Sequence, residues 1–159
     1  MIGNPPNADR TVDATLRQAT DTDLPGILTL LGESDLPTEG VAETLGGFIV
    51  AEHDATIVGV IGVETCRQYG LLRSAAVRAA WRGRGLGRLL VERAIALAES
   101  RGFDALYLLT TSAEQYFPSF GFVQTEREAV PDAVRETAEF RSICPSSATV
   151  MTRPLKAVG

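Results

Sequence analysis

The sequence contains 159 residues, of which 45% are hydrophobic, and this is enough apolar material for the core of one domain. Its formal net charge of -5 and pI near 4.9 argue against nonspecific binding to nucleic acid or to an anionic membrane, because both favour a basic surface. No window reaches the roughly 18 to 20 apolar residues that span a bilayer, and the N-terminus lacks the layout of a signal peptide, so we expect a cytoplasmic protein.

The two cysteines, Cys66 and Cys144, are far apart in the sequence. Their spacing is neither that of a metal site nor that of a disulfide scaffold, which fits a reducing compartment and predicts no bound metal. We expect each thiol to pack as a small apolar residue, the alternative for Cys144 being contact with a substrate.

The N-terminal third begins with a segment rich in Pro, Asn and charge, and we predict a flexible tail over 1–13 before a single domain over 14–159. The segment ATLRQAT predicts a strand. In TDLPGILTLLG, polar capping candidates such as Asp23 precede a one-sided row of Ile and Leu, which predicts a helix. LPTEGVAETLG predicts a second, short helix that ends at Gly46 and Gly47.

Three apolar segments follow, and all three predict strands. FIVAE and TIVGVIGVETC flank the turn HDA as an antiparallel hairpin, and YGLLRSAAV comes next after a brief break. Short strands that are adjacent in sequence pair antiparallel most readily. Beyond them, apolar residues from Leu86 to Ala98 recur at steps of three and four, which predicts an amphipathic helix that ends before Gly102.

The C-terminal third continues to alternate strands with short helical segments. DALYLLTT predicts a buried strand, AEQYFPSFGF a short helix or turn that leads into another strand, and SATVMTRPL the last strand. VPDAVRETAEFRSICPSS predicts a helix and loop that carry Arg135 and Arg141. No internal repeat or low-complexity linker divides the sequence, so one domain is the simplest organisation.

The stretch AVRAAWRGRGLGRLLVERA, residues 76–94, places arginines and glycines at the start of the amphipathic helix. The first amides of a helix are unpaired and carry partial positive charge, and glycine lets a ligand approach the backbone, so the stretch predicts a pyrophosphate site. A G-x-x-x-x-G-K-[ST] loop is absent, and the dinucleotide fingerprint fails at Arg88 and Leu90, where its third glycine is needed. The alternative is a solvated helix start that binds nothing. Each glycine in a helix costs about 1 kcal/mol relative to alanine, and this cost argues against that alternative.

The stretch VRAAWRGRGLGRLL resembles the acetyl-coenzyme A signature of the GNAT acetyltransferases, in which Arg or Gln is followed by x-x-G-x-G or x-x-G-x-A. Arg82, Gly85 and Gly87 occupy those places. The resemblance runs from LRQAT to ATVMTRPL, and FPSFGF stands where the family usually ends in a Gly-Phe pair. The strings LLRSAAV, LYLLTTSAEQYF and AEFRSICPSSATVM are similar to the small GNAT N-acetyltransferases of arsenic resistance.

The resemblance implies an α/β protein with the GNAT fold, a mixed, mostly antiparallel sheet of six to seven strands flanked by about four helices. Strand 4, residues 71–77, would splay from strand 5, residues 105–110, and acetyl-CoA, the implied co-substrate, would bind in the wedge. Backbone groups of strand 4 would bind the pantetheine arm and polarise the thioester carbonyl. The implied cofactor-binding residues are Ala76, Val77, Arg82, Gly83, Arg84, Gly85, Leu86, Gly87, Arg88 and Thr111.

Amine acetylation needs a base for the amine and a proton for the departing thiolate. The resemblance implies a Tyr before the Gly-Phe pair as proton donor, but alignment on that pair puts Phe117 at the position and Tyr116 one residue earlier. Tyr116 is thus either the catalytic donor or a packed core aromatic, since one helical position turns a side chain by about 100 degrees. Glu64 is the nearest candidate base or else a solvated edge residue. Proton transfer through ordered water is the alternative to both.

Arg73 and Ser74 in strand 4 are implied to face the acceptor, and an arginine there suits an anionic group. Arg141 and Cys144 extend this candidate substrate site from the C-terminal helix and loop. His53, the only histidine, falls in the predicted hairpin turn, where we expect exposure rather than catalysis.

The resulting prediction is an acetyl-CoA-dependent N-acetyltransferase that acts on a small-molecule amine, such as a toxic amino-acid analogue bearing a phosphinate or arsenic group. Two alternatives stay open, a protein or peptide N-acetyltransferase and a non-catalytic acyl-CoA sensor. A homodimer is compatible with the sequence, although no stretch identifies an interface.

Overall fold

The fold is a seven-stranded sheet that is covered on both faces. The computed structural model describes residues 13–142 and 148–155. The strands are β1 Thr15–Gln18, β2 Phe48–His53, β3 Thr56–Cys66, β4 Tyr69–Val77, β5 Ala105–Thr110, β6 Val123–Gln124 and β7 Thr149–Pro154. Their order in the sheet is β1-β2-β3-β4-β5-β7-β6, and every neighbouring pair is antiparallel except β4 and β5, which run parallel.

The helices within these residues are α1 Leu24–Glu33, α2 Leu86–Ser100, α3 Asp132–Arg135 and α4 Ala138–Ser142. The helix predicted over LPTEGVAETLG is wrong, because its second half forms 3-10 turns over Ala42–Gly47. Thr44 departs from helical geometry there, with φ -118° and ψ 20°, and its hydroxyl donates a hydrogen bond to the carbonyl of Gly40 at 2.6 Å. A side chain that bonds its own backbone competes in this way with a continuous helix.

Alternate residues of the central strands enter two different cores. In β2, Ile49 and Ala51 pack with the residues of α2, whereas Phe48 and Val50 pack with the residues of α1. The strand is therefore apolar at successive positions, as expected for a strand that is buried on both faces. On α2 the buried side chains recur at steps of one, three and four, namely Leu86, Leu90, Val91, Ala94, Ile95 and Ala98.

The parallel pair separates partway along its length. β4 and β5 pair from Tyr69 to Leu71 on β4, and the described residues show no pairing between the two strands beyond Leu71. Close to this point β4 also bulges, because Ser74 and Ala75 lie between Arg73, which faces Gly62, and Ala76, the partner of Val60. Ser74 adopts φ 59°, which turns the chain locally. One backbone edge of β4 thus faces an opening instead of a neighbouring strand.

Cys66 is 4% exposed, which confirms the expectation that it packs as a small apolar residue, and its burial raises the pKa of the thiol to about 12. Cys144 and residues 1–12 of the predicted tail lie outside the described residues. No helix in the described ranges is long and apolar enough to cross a bilayer.

Candidate active site

The start of α2 presents backbone donors without a side-chain cap. Gly83 and Gly85 have φ values of 80° and 88°, and Gly85, at the N-cap, has no side chain with which to cap the helix. The amide of Leu89 donates to the carbonyl of Gly85 at 3.2 Å and begins the helical ladder. The amides that precede this bond in the helix belong to Leu86, Gly87 and Arg88.

A cavity of about 400 Å³ lies at these amides. The arginines around it are held in different ways. Arg82 donates from Nε to the carbonyl of Val77 at 3.0 Å, and Arg84 stacks with its Cζ 4.7 Å from the centroid of the Trp81 ring. The residues that line the cavity are Val77, Trp81, Arg82, Gly83, Gly85, Gly87, Arg88 and Tyr116.

Of the predicted cofactor residues between Arg82 and Arg88, Leu86 and Arg84 do not line this cavity. The side chain of Leu86 is buried in the core with the residue 1% exposed, so only its amide is available to a ligand at the helix start. The guanidinium of Arg84 lies against Trp81 instead.

A larger cavity of about 660 Å³ occupies the wedge between β4 and β5. Its walls include β4 from Leu72 to Val77 and the end of β5, and Thr111 contributes to its rim. The two cavities share four lining residues, Val77, Arg82, Gly87 and Tyr116. They therefore adjoin each other at these residues, and together they make a path from the helix start into the wedge.

Arg73 lies at the wedge with its charge engaged by protein groups. Its side chain is fully buried, and Nη1 donates to Glu64 Oε1 at 3.0 Å while Nη2 lies 3.6 Å from Glu139 Oε1. Nη2 also donates to the carbonyl of Glu39 at 2.6 Å, and Nε donates to Ser74 Oγ at 3.0 Å. An anionic acceptor would therefore meet a guanidinium that is already paired, which the prediction for Arg73 did not anticipate.

Two carboxylates approach Arg73, Glu64, which was predicted as a candidate base, and Glu139, which was not predicted. The side chain of Glu64 is 14% exposed and paired with Arg73, so the solvated-edge interpretation of Glu64 is wrong. The side chain of Glu139 is 6% exposed and lines the wedge cavity, whereas Glu64 is not among the lining residues. Desolvation raises the pKa of Glu139, and the positive charge of Arg73 partly opposes this.

Tyr116 lies where the two cavities meet. Tyr116 is 40% exposed, whereas Phe117 is 8% exposed and packs in the core with Phe120 and Phe122, so the core-aromatic interpretation of Tyr116 is wrong. A Cβ added to Gly87 would stand 3.6 Å from the Tyr116 hydroxyl. Desolvation raises the pKa of Tyr116, so its hydroxyl is protonated at neutral pH.

Several predicted residues lie away from the cavities. Arg141 is exposed and lines neither cavity, and Cys144 falls outside the described residues. His53 is partly exposed, with Nε2 3.2 Å from Asp54 and its ring 5.0 Å from that of Trp81. Among the described residues, no group of three His, Cys, Asp or Glu side chains is arranged to hold a metal ion.

Sequence reasoning missed the residues that close the acceptor end of the wedge. Glu139 and the loop residues Asp35, Leu36 and Pro37 line it. Glu139 stands inside the predicted C-terminal helix, between Ala138 and Phe140. A charged residue between apolar neighbours was the available signal, but the residues predicted from that segment were Arg135, Arg141 and Cys144.

A sheet that splays between its parallel strands, beside a glycine-rich helix start, defines the GNAT class of fold, as the sequence implied. The chain belongs to this family, since the profile of the acetyltransferase (GNAT) domain matches residues 44–124, half of its length. An uncharacterized N-acetyltransferase of Chlorobaculum tepidum is 29% identical over 97 residues, which are 60% of this chain and 62% of that protein. An amino-acid acetyltransferase of Ralstonia nicotianae is 31% identical over 130 residues, covering 76% of this chain and 29% of that protein.

A solved structure gives the same architecture. N-acetylglutamate synthase from Neisseria gonorrhoeae, complexed with coenzyme A and N-acetyl-glutamate, superposes with a TM-score of 0.77 at 24% identity, over 91% of this chain and 35% of that chain. The predicted GNAT fold is thereby confirmed. This chain spans less than two thirds of the length of each of these three proteins.

The residues along the path fit coenzyme A. Amides at a helix start and the nearby Arg82 suit a pyrophosphate, and the unpaired edge of β4 offers backbone groups to an extended arm. A side chain at Gly87 would occupy the junction of the two cavities, because its Cβ would lie 3.6 Å from Tyr116 and 3.8 Å from Val77. Glycine therefore keeps the junction open.

Proposed function

We propose that the protein is an acetyl-CoA-dependent N-acetyltransferase that acetylates the amino group of a free amino acid or of an amino-acid analogue. The observation that carries this proposal is the path from the amides of α2 to the charged wall formed by Arg73 and Glu139. One end of the path suits a pyrophosphate, and the other offers a cation and an anion to a small zwitterion.

The co-substrate would be held by the backbone more than by side chains. The amides at the start of α2 and the guanidinium of Arg82 would bind the pyrophosphate, and the edge of β4 at Ala76 and Val77 would bind the pantetheine arm. When bound, acetyl-CoA supplies an activated acetyl thioester. An amide of β4 aimed at the carbonyl oxygen would stabilise its developing charge, an effect worth about 3 to 4 kcal/mol in comparable sites.

Tyr116 is the proposed proton donor to the departing thiolate. It lies at the junction of the cavities, and its neutral hydroxyl carries a proton to give. The hydroxyl would face the sulfur of a co-substrate whose arm follows β4 from the helix start.

The acceptor is proposed from the charges at the wedge. Arg73 Nη2 and Glu139 Oε1 stand 3.6 Å apart in the wall of the cavity, so the ammonium of an amino acid would bind beside this pair on the side of Glu139 and its carboxylate on the side of Arg73. The names of the Ralstonia relative and of the Neisseria synthase, with its bound N-acetyl-glutamate, support an amino-acid acceptor. A phosphinate- or arsenic-bearing analogue presents the same pair of charges and extends the proposal to resistance.

Thiol release from acetyl-CoA tests the proposal. The purified protein is given L-glutamate, L-glutamine, L-methionine, phosphinothricin and an arsenic-bearing amino acid, with polyamines and peptides as the comparison set. We expect release with amino acids or their analogues and none with polyamines. Release only with peptides would replace the proposal by a peptide acetyltransferase. If no acceptor gives thiol release while calorimetry shows that acetyl-CoA still binds, the proposal would be replaced by an acyl-CoA sensor.

A further inference from the structure

Glu139 is a glutamate whose ionised side chain is buried at an energetic cost. It lies on α4 with 6% of its side chain exposed, in the wall of the wedge cavity. Burying a carboxylate is unfavourable unless positive charge compensates it. Because Glu139 lines the cavity, its buried carboxylate lies next to the proposed position of the acceptor.

The positive charge near Glu139 is shared. Arg73, on β4, is a cation that faces it, and the same guanidinium donates a 3.0 Å hydrogen bond to Glu64 on β3. The carboxylates of Glu64 and of Glu39, in the loop after α1, also act on Glu139. The guanidinium of Arg73 thus faces more than one carboxylate, and of these Glu139 lines the cavity.

An ammonium group entering the cavity would meet the carboxylate of Glu139 in its wall. Desolvation, the largest effect on Glu139, raises the pKa of its carboxyl, so its carboxylate is a stronger base than an exposed glutamate. Glu64 does not line the cavity and its Oε1 accepts the hydrogen bond from Arg73, so it is less able to reach an acceptor. Asp35 lines the cavity too, but it is exposed.

We propose that Glu139 binds the ammonium of the acceptor and takes its proton, an inference that rests on the proposed function. An N–H bond of the ammonium breaks as an O–H bond forms on Glu139, and the freed lone pair of nitrogen attacks the acetyl carbonyl carbon. The C–S bond then breaks with its electron pair leaving on sulfur. The nitrogen loses a second proton, the thiolate gains one through Tyr116 or water, and Glu139 returns its proton to solvent.

The test is the pH dependence of kcat/KM for thiol release, with L-glutamate, L-glutamine and phosphinothricin as acceptors. Glu139→Gln removes the base and keeps the shape, and Glu136→Gln, an exposed residue before α4, is the matched control. We expect Glu139→Gln to lower kcat/KM by about 10²- to 10⁴-fold at pH 7, with the acetyl-CoA Kd within twofold of the wild-type value. Glu136→Gln should match the wild type.

The shape of the profile separates a base from a positioning residue. Without its base the enzyme depends on amine that is already neutral in solution, so log kcat/KM of Glu139→Gln should rise with unit slope toward pH 9, where the wild type is flat. A variant profile that is lowered by one constant factor, or that equals the wild type, would overturn the proposal.

Folding and the proposed function are checked separately. If Glu139→Gln unfolds, Glu139→Asp is used, and it should keep the flat profile at a lower rate; a rising profile would overturn the role of the carboxylate. A wild-type protein that releases no thiol with any of the five amino acids and analogues of the activity test overturns the proposed function and this inference with it. A wild-type protein that is active beside an equally active Glu139→Gln overturns this inference alone.

Discussion

Arg82 is the side chain whose removal should weaken acetyl-CoA binding most directly. It lines both cavities and is anchored by a 3.0 Å hydrogen bond to Val77, so its charge is held near the amides of α2. A hydrogen bond to a charged group contributes about 1.5 kcal/mol or more, so Arg82→Ala should raise the acetyl-CoA Kd by about tenfold in calorimetry. Arg93→Ala, which removes an exposed arginine further along α2, is the control and should leave Kd within twofold.

Two results would contradict this assignment. An unchanged Kd in Arg82→Ala would remove Arg82 from the binding site. An equal loss in Arg93→Ala would show that net charge alone attracts the co-substrate.

The residues of the site differ in how far sequence alone could predict them. Arg82 and the glycines at the start of α2 follow one another in the chain, so a local pattern was sufficient to place them. Glu139 meets Arg73 only because α4 folds back over β4, and no local pattern carries that contact. The two alternatives for Tyr116 could not be separated from the sequence, because neighbouring residues at a short 3-10 turn point in different directions, Tyr116 toward the cavities and Phe117 into the core.

At the scale of elements, packing between β2 and β3 should make one glycine indispensable. Gly62 faces Phe48 across the two strands, and a Cβ at Gly62 would lie 2.5 to 2.8 Å from three atoms of the fully buried Phe48 ring. Gly62→Ala should therefore destabilise the protein by about 1 to 3 kcal/mol in denaturant melts.

A second glycine provides a matched control, because its replacement by alanine should change the stability in the opposite direction. Gly32 lies exposed in the last turn of α1, and a Cβ there would meet no atom within 4 Å. Gly32→Ala should stabilise the protein by about 0.5 to 1 kcal/mol, because alanine favours the helix. If Gly62→Ala and Gly32→Ala both raised or both lowered the stability, the space around each glycine would not be what determines the effect.

The bounds of helices and strands were predictable where the hydrophobic pattern of the sequence agrees with the face that is buried in the fold. YGLLRSAAV predicted β4 at its observed bounds, since its apolar run is buried and polar residues flank it. The sequence also predicted α2, because its apolar steps match the face that packs on the sheet. The bulge at Ser74 could not be predicted, since it depends on the register between β3 and β4.

At the scale of the whole molecule, the family resemblance predicted the sheet and the separation of β4 from β5. It did not predict the side-chain contacts that join β1 to the rest of the sheet. Arg17 of β1 donates to both carboxylate oxygens of Asp23, at 2.7 and 2.9 Å, and its Nε donates to Glu52 of β2 at 2.9 Å. The amide of Thr20 also donates to Asp23 at 2.7 Å. This network connects β1 and the turn that follows it to β2.

The network should make stability depend on acidic pH. The hydrogen bonds from Arg17 lower the pKa of Asp23 to about 2, from the ordinary value of 3.8. Because the folded pKa is the lower one, ionised Asp23 stabilises the native state above about pH 4, and this contribution is lost as the pH falls toward 2. We expect it to be about 1 to 2 kcal/mol, since Arg17 is one third exposed and solvent screens the pair.

Denaturant melts of Asp23→Asn at pH 7, 4 and 2 measure this contribution. The variant should be about 1 to 2 kcal/mol less stable than the wild type at pH 7, and the difference should shrink toward pH 2, where the wild-type carboxylate becomes protonated. Asp21→Asn changes an exposed carboxylate in the same turn and should lack this pH-dependent difference. A deficit in Asp23→Asn that persisted unchanged at pH 2 would mean that shape and hydrogen bonding, rather than the charge of Asp23, hold β1 to the sheet.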